Sequence, residues 1–122
     1  MGWTDRQEIK NDYLDIIEYL ELMDGFHDYR IGNLHYDGNT VDIFVEEVIP
    51  GAKIQYSTGL IWDFHFIGVR SFYISVDCAG GFWIYEIERG NELGEISFNL
   101  VPGHICVTAE KVTLGIPSHK KP

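Results

Sequence analysis

The hydrophobic pattern divides the chain into one helical segment and a long series of strands. In residues 4–24, Thr4 and Gln7 have the spacing of a capping box, and Gly25 is the residue type that commonly ends helices in the left-handed conformation. The apolar side chains of this segment recur at three- and four-residue steps, which form one helical face: Ile9, Tyr13, Ile16, Ile17, Leu20 and Met23. We therefore predict a helix over residues 4–24.

From Phe26 onward the apolar positions alternate, as they do in β-strands, and turn-forming residues interrupt the alternation. The interruptions are Asp37-Gly38-Asn39, Pro50-Gly51, Ala79-Gly80-Gly81 and Pro102-Gly103. We predict strands at 28–36, 40–47, 52–57, 60–67, 71–77, 82–88, 95–101 and 104–114. No long helical pattern separates these strands, so we expect antiparallel hairpins rather than parallel βαβ units.

These elements predict an α+β fold: the N-terminal helix packs, through its apolar face, on a strongly bent antiparallel sheet or partly open barrel of six to eight strands. The length of 122 residues suits a single domain. We place that domain at 1–117 and expect residues 118–122, which are mostly polar, to form a frayed tail. Within the sheet, alternation directs Phe72, Ile74 and Val76 inward and Tyr73 and Ser75 outward.

Charge is concentrated at the N-terminus. The net charge is −10, and residues 1–24 contain seven acids against Arg6 and Lys10. Nucleic acid and anionic membranes are excluded as partners, because phosphate binding needs clustered Lys and Arg. Either the acids keep a small domain soluble, or they face a basic partner. In the second case the helix would present Glu8, Asp12, Asp15 and Glu18, and Trp83 or Tyr85 would supply an apolar anchor.

The sequence also bounds the cellular setting. It contains no run near the ~18 apolar residues of a membrane span, and its charged start lacks the apolar region of a secretory signal. We therefore expect a cytoplasmic protein. In that compartment Cys78 and Cys106 are expected to be free thiols.

Candidate chemical groups are present, but each lacks a complete set of partners. His27 and Asp28 are adjacent, so on a strand their side chains would point to opposite faces unless the backbone turns there. Asp63 and His65 share a strand face at metal-ligand spacing, but a zinc site would need His35 or His104 from a neighbouring strand. Cys78 precedes Ala-Gly-Gly, whose amides could form an oxyanion site, without a base nearby in the sequence. We expect no cofactor and no metal.

Three short segments resemble a widespread group of small uncharacterised bacterial proteins. They are residues 26–31 (Phe-His-Asp-Tyr-Arg-Ile), 36–43 (Tyr-Asp-Gly-Asn-Thr-Val-Asp-Ile) and 66–69 (Phe-Ile-Gly-Val). That group shares a helix, a His-Asp step and a run of strands that ends in a Phe-x-Gly-Val motif, and some of its members are grouped with immunity proteins of polymorphic toxin systems. The resemblance implies a binding protein and supplies no catalytic residues.

The sequence as a whole favours a non-enzymatic protein-binding module, an immunity-type inhibitor of a basic toxin. One alternative is a small hydrolase or ligand-binding protein with a pocket near His27 and Asp28 or near Cys78. Another is a structural protein that forms a homodimer.

Overall fold

The computed structural model describes residues 7–48, 57–76 and 82–117, and the predicted tail 118–122 and Cys78 lie outside these ranges. One α-helix accompanies a set of strands. In chain order the elements are β1 (Gln7–Lys10), α1 (Tyr13–Leu22), a 3-10 turn (Asp24–Phe26), β2 (Arg30–Tyr36), β3 (Thr40–Val48), β4 (Ser57–Val76), β5 (Trp83–Arg89), β6 (Glu95–Val101) and β7 (Gly103–Pro117).

The strands form an antiparallel sheet that closes into a six-stranded barrel with one extra strand. The order is β1-β7-β4-β3-β2-β5-β6, and β6 also pairs with β7, which closes the ring from β2 to β7. Strand β7 is long enough to have two neighbours on one side. It pairs with β6 through Thr108 and with β1 from Leu114 onward. The predicted combination of a helix with a bent antiparallel sheet is confirmed, and the molecule is mostly β.

The predicted helix over 4–24 is wrong at its N-terminal end. Residues Gln7–Lys10 form β1, and the helix begins only at Tyr13. Asp12 is the N-cap, and its side chain accepts a hydrogen bond from the Leu14 amide. Ile9 fits the helical spacing, yet it lies on β1 opposite Gly115 and is exposed. The chain therefore forms a β-strand where helical periodicity alone predicted the first turns of the helix.

The end of the helix is built around Gly25. This residue has a φ of +65°, and a Cβ atom there would lie 2.7 Å from Glu86 Cγ and 3.2 Å from the Ile87 nitrogen. Glycine is thus required both by the backbone conformation and by the close approach of the helix end to β5. The expected left-handed glycine after the helix is confirmed.

The two predicted strands 60–67 and 71–77 are parts of one strand, β4. Gly68 lies between them with a φ of +69°, and the register with β7 shifts between Val69 and Ser71. The strand bends at this point instead of ending, because β7 pairs with it on both sides of the bend. Ile74, which was expected to be buried, is 44% exposed.

One apolar core joins the helix to the barrel interior. The buried face of α1, made of Tyr13, Ile16, Ile17 and Leu20, belongs to the same cluster as the inward side chains of the strands. Phe26 packs edge-on against the rings of Trp62 and Phe64, with centroids 5.2 and 5.9 Å apart. The core therefore fixes the helix end, and the residues that follow it, against β4 and β5.

Candidate partner-binding surface

Three of the four predicted acidic residues lie on or beside α1, and the fourth does not. Asp15 and Glu18 are exposed on the helix, and Asp12 is exposed at its N-cap. Glu8 lies on β1 opposite Ile116, away from the helical repeat. The predicted row of four carboxylates on one helix is therefore wrong, and Glu8 does not belong to it.

The exposed side of α1 carries leucines as well as acids. Leu14, Glu18 and Leu22 follow one another at four-residue steps, and both leucines are exposed. Leu22, at the end of the helix, is 80% exposed, which is the largest value among the exposed large apolar residues of the described chain. The sequence analysis did not identify these two leucines as exposed. Their positions outside the apolar helical stripe could have indicated it.

A shallow acidic groove of about 360 Å³ separates the C-terminal half of α1 from β5. Glu21 and Asp24 line it on the helix side, and Glu86 and Glu88 line it on the strand side, with Arg89 as the cation among its lining residues. Its floor includes Ile17, Leu20 and Gly25. Sequence reasoning missed the contribution of β5, because Glu86 and Glu88 lie more than sixty residues after the helix and only the fold brings them to it.

Tyr85 stands beside this groove, where β5 is irregular. The register between β5 and β6 shifts between Ile84 and Glu86, so Tyr85 and Glu86 are both exposed. The Tyr85 ring meets the His27 ring edge-on at 5.7 Å. We name the exposed residues of α1, the groove acids and Tyr85 together the α1–β5 surface; its members are Leu14, Asp15, Glu18, Glu21, Leu22, Asp24, Tyr85, Glu86 and Glu88.

Trp83, the other predicted anchor, is less available than Tyr85. It is partly buried, and the Arg30 guanidinium lies 5.6 Å from the centre of its ring. Arg30 also donates a hydrogen bond from Nε to Glu46 at 3.3 Å, which holds the guanidinium in place. Trp83 therefore already has a cation over its ring, and Tyr85 is the exposed aromatic residue of this strand.

His27 and Asp28 occupy a turn, so their side chains can approach each other. Asp28 has a φ of +72°, and His27 Nε2 lies 3.5 Å from Asp28 Oδ1. The opposite nitrogen, Nδ1, donates to the Tyr85 carbonyl oxygen at 2.7 Å. This hydrogen bond is the main reason that the pKa of His27 is raised, and nearby acids add to the effect. Both side chains are well exposed, so the pair joins the helix end to β5 without the desolvation that acid–base catalysis uses.

The outer face of β3 and β4 carries a second polar cluster. Asp42 and His65 are directly opposite on neighbouring strands and are hydrogen-bonded. Asp63 lies two residues before His65, and its Oδ1 is buried without a hydrogen-bond partner. Burial raises the pKa of Asp63, and the charge of Asp42 raises it further. Within residues 7–48, 57–76 and 82–117, no three His, Cys, Asp or Glu side chains gather closely enough to hold a metal ion.

Cys106 is a free thiol within a hydrogen-bonded group on β6 and β7. Its Sγ donates to Glu95 Oε2 at 2.8 Å, and Ser97 Oγ lies 3.7 Å from the sulfur. Burial raises the pKa of this thiol to about 11, and the Glu95 carboxylate acts in the same direction. The side chain is therefore a protonated donor at neutral pH and not a thiolate nucleophile.

The helix of the described chain is too short and too polar to cross a membrane. Comparisons of the chain with protein-family models, with curated proteins and with solved structures gave no match.

Proposed function

We propose that the protein is a non-enzymatic binding protein of the immunity type, which inhibits a basic toxin through the α1–β5 surface. The observation that supports this proposal is the combination of exposed apolar anchors with a dense set of carboxylates. Leu22 and Tyr85 are exposed beside the acids Glu21, Asp24 and Glu86. Protein interfaces typically combine such anchors with a polar rim, so this combination supports a role in binding a partner.

A basic partner fits the electrostatics of this surface. The carboxylates come from two separate elements that the fold brings together, and the chain as a whole carries a net charge of −10. Their field would raise the association rate with a cationic protein, whereas each exposed ion pair would add little affinity. A nuclease-like toxin, which presents Lys and Arg to phosphates, is a partner of this kind.

The test compares two double variants that change the net charge equally. Glu21→Lys/Glu86→Lys reverses two acids in the groove, and Glu92→Lys/Glu110→Lys reverses two exposed acids outside the groove, in a separate pocket on the Leu14 side of α1. Wild type and both variants are immobilised, and an extract of the native host is passed over them at low salt. We expect a basic protein, identified by mass spectrometry, on wild type and on the control but not on the groove variant.

The retained protein is then purified and its association rate is measured at two ionic strengths. The rate with wild type should fall steeply between 0.1 and 1 M salt, because the Debye length shortens from ~10 to ~3 Å. Inhibition of that protein's toxicity on co-expression would complete the assignment. Equal retention on both variants would contradict the role of the groove, and a retained protein without toxic activity would contradict the immunity-type function.

A further inference from the structure

In residues 7–48, 57–76 and 82–117, strand β4 has an open edge along its C-terminal part. Pairing between β3 and β4 ends at Thr40 opposite Ile67, and the Val69 amide donates a last hydrogen bond to the Asn39 carbonyl oxygen at 2.9 Å. Beyond that point β4 continues through Val76 and pairs with β7 on its other side. In the part of the chain that the structure describes, no strand pairs with residues 70–76 on the β3 side. An open edge of this kind is a template for pairing with another strand.

The sequence of this edge lacks the features that usually protect one. Residues 71–76 are Ser-Phe-Tyr-Ile-Ser-Val, without a charge, a proline or a glycine. Natural edge strands are commonly blunted by a charged residue, proline or a bulge, and here Arg70 and the bulge between Val69 and Ser71 lie only at the start of the edge. Here Tyr73 and Ile74 are exposed, and Tyr36 packs on Phe72 with ring centroids 4.8 Å apart while remaining exposed itself. Among the described residues this edge is therefore unpaired, and its residues 71–76 are uncharged.

We propose that a second copy of this chain occupies this edge, as an antiparallel strand related by a two-fold axis through Tyr73. A two-fold axis perpendicular to the sheet places outward side chains opposite outward ones. Tyr73 then faces Tyr73 of the second copy, Phe72 faces Ile74, and Ser71 faces Ser75. Each of these pairings joins like with like: aromatic with aromatic, apolar with apolar, and hydroxyl with hydroxyl, which are favourable cross-strand combinations.

Charge favours this edge over the rest of the surface for contact between two copies. Two chains with a net charge of −10 repel each other, so contact between them is least opposed where acids are absent. Residues 71–76 of β4 are uncharged, and in the sequence they lie between Arg70 and Asp77. The α1–β5 surface stays outside this contact, because β7 and β6 lie between β4 and β5 in the strand order. The dimer is thus a property separate from the proposed function.

Sedimentation of the full chain tests the proposal. Wild type should show a mass near twice the 14.0 kDa of one chain at high concentration and should dissociate on dilution. Tyr73→Lys places two like charges opposite each other, so the dimer dissociation constant should rise at least tenfold. Tyr85→Lys is the matched control, because Tyr73 and Tyr85 are 57% and 56% exposed and Tyr85 lies on β5, outside the proposed contact. The control should dimerise as wild type does.

A mixing experiment tests the position of the axis. Tyr73→Lys and Tyr73→Glu should each be monomeric, and an equal mixture of the two should dimerise, because lysine then faces glutamate. The corresponding pair of Tyr85 variants should gain nothing on mixing. Circular dichroism confirms that each variant is folded. A wild-type chain that stays monomeric at on the order of 1 mM overturns the proposal and leaves the edge to a strand of another protein. A Tyr73→Lys dimer as stable as wild type, or a mixture that fails to associate, overturns the register.

Discussion

At the scale of single residues, Asp63 is the side chain that we expect to lower the stability of the folded protein most clearly. Its Oδ1 is buried without a donor, and its carboxylate shares the sheet face with Asp42. Asp63→Asn should raise the free energy of unfolding at pH 7 by about 1 kcal/mol, the lower end of the cost of an unpaired buried polar group. Urea denaturation of the variant and of wild type measures this difference.

The stability difference between Asp63→Asn and wild type should depend on pH. The pKa of Asp63 is raised in the folded state, so the folded protein binds its proton more readily than the unfolded chain does. The stability from this protonation is fully present below the unfolded pKa near 3.8 and is lost as the pH rises through the folded value. The advantage of Asp63→Asn should therefore shrink as the pH is lowered from 7 towards 3.8, and an advantage that persists unchanged at acid pH would contradict this account.

Asp37 supplies an internal control of opposite sign. Its Oδ1 accepts hydrogen bonds from the amides of Thr40 and Asn39, at 2.8 and 3.0 Å, and these bonds lower its pKa. The stability that it contributes is present above the unfolded pKa and is lost as the pH falls through the lowered value. Asp37→Asn should therefore destabilise the protein at pH 7, whereas Asp63→Asn should stabilise it. The turn role of Asp37 was predictable from Asp-Gly-Asn, but the burial of Asp63 was not.

At the scale of elements, the docking of α1 can be tested with two leucines of one helix. Leu20 is 2% exposed and belongs to the core, whereas Leu22 is 80% exposed. Leu20→Ala should lower the free energy of unfolding by about 2–5 kcal/mol, through lost burial and the cavity left behind. Leu22→Ala should change it by less than about 0.5 kcal/mol. Equal losses in denaturant melts would show that the helix is not docked as the structure describes.

Helical spacing predicted the buried face of α1 but not its first residue. Tyr13, Ile16, Ile17 and Leu20 are buried as predicted, because the same period governs the sequence and the packing. Ile9 continues that period only by coincidence. The strand β1 forms because β7 continues beyond Thr108, where its pairing with β6 ends, and β1 pairs with that part of β7, more than ninety residues further along the chain. Local patterns carry no information about such a distant edge.

The length of β4 shows the same limit in the sheet. Alternation locates its two halves, and Gly68 lies in the gap between the predicted strands 60–67 and 71–77. In a sequence, a bend with a positive-φ glycine cannot be distinguished from a turn between strands. Only the continuous pairing with β7, from Asp63 opposite Gly115 to Val76 opposite Gly103, shows that the strand continues. The open edge of β4 follows from that continuity, so it too could not be predicted from the sequence.

At the scale of the whole molecule, the fold separates two kinds of surface. Acids that are distant in sequence meet between α1 and β5. The uncharged residues 71–76 lie on β4, and β7 and β6 separate β4 from β5. If both proposals hold, one dimer presents two acidic surfaces, and a basic partner should bind with one copy for each chain. A single partner bound by each dimer would instead show that the two surfaces interfere.

The closure of the barrel has a weak point between β2 and β5. Within the described residues, the ladder between these strands has one paired position, Arg30 opposite Trp83. Ile31 donates to the Phe82 carbonyl oxygen beside it, and Ile84 donates to that of Tyr29. Pairing between β4 and β7, by comparison, extends over more than ten residues of each strand. A ring of strands should open first where the fewest backbone bonds have to break.

Native-state hydrogen exchange can detect this opening. The amides of Ile31 and Ile84 should exchange through a partial opening of the seam, with a lower free energy and a weaker dependence on denaturant than amides in the β4–β7 ladder. The Arg30 guanidinium over Trp83 spans the outside of the seam, so Arg30→Ala should lower the protection of these two amides while leaving the β4–β7 amides unchanged relative to global unfolding. If all of these amides instead report the same free energy and the same dependence on denaturant, the barrel opens only by complete unfolding. The few contacts between β2 and β5 would then be as cooperative as the rest of the sheet.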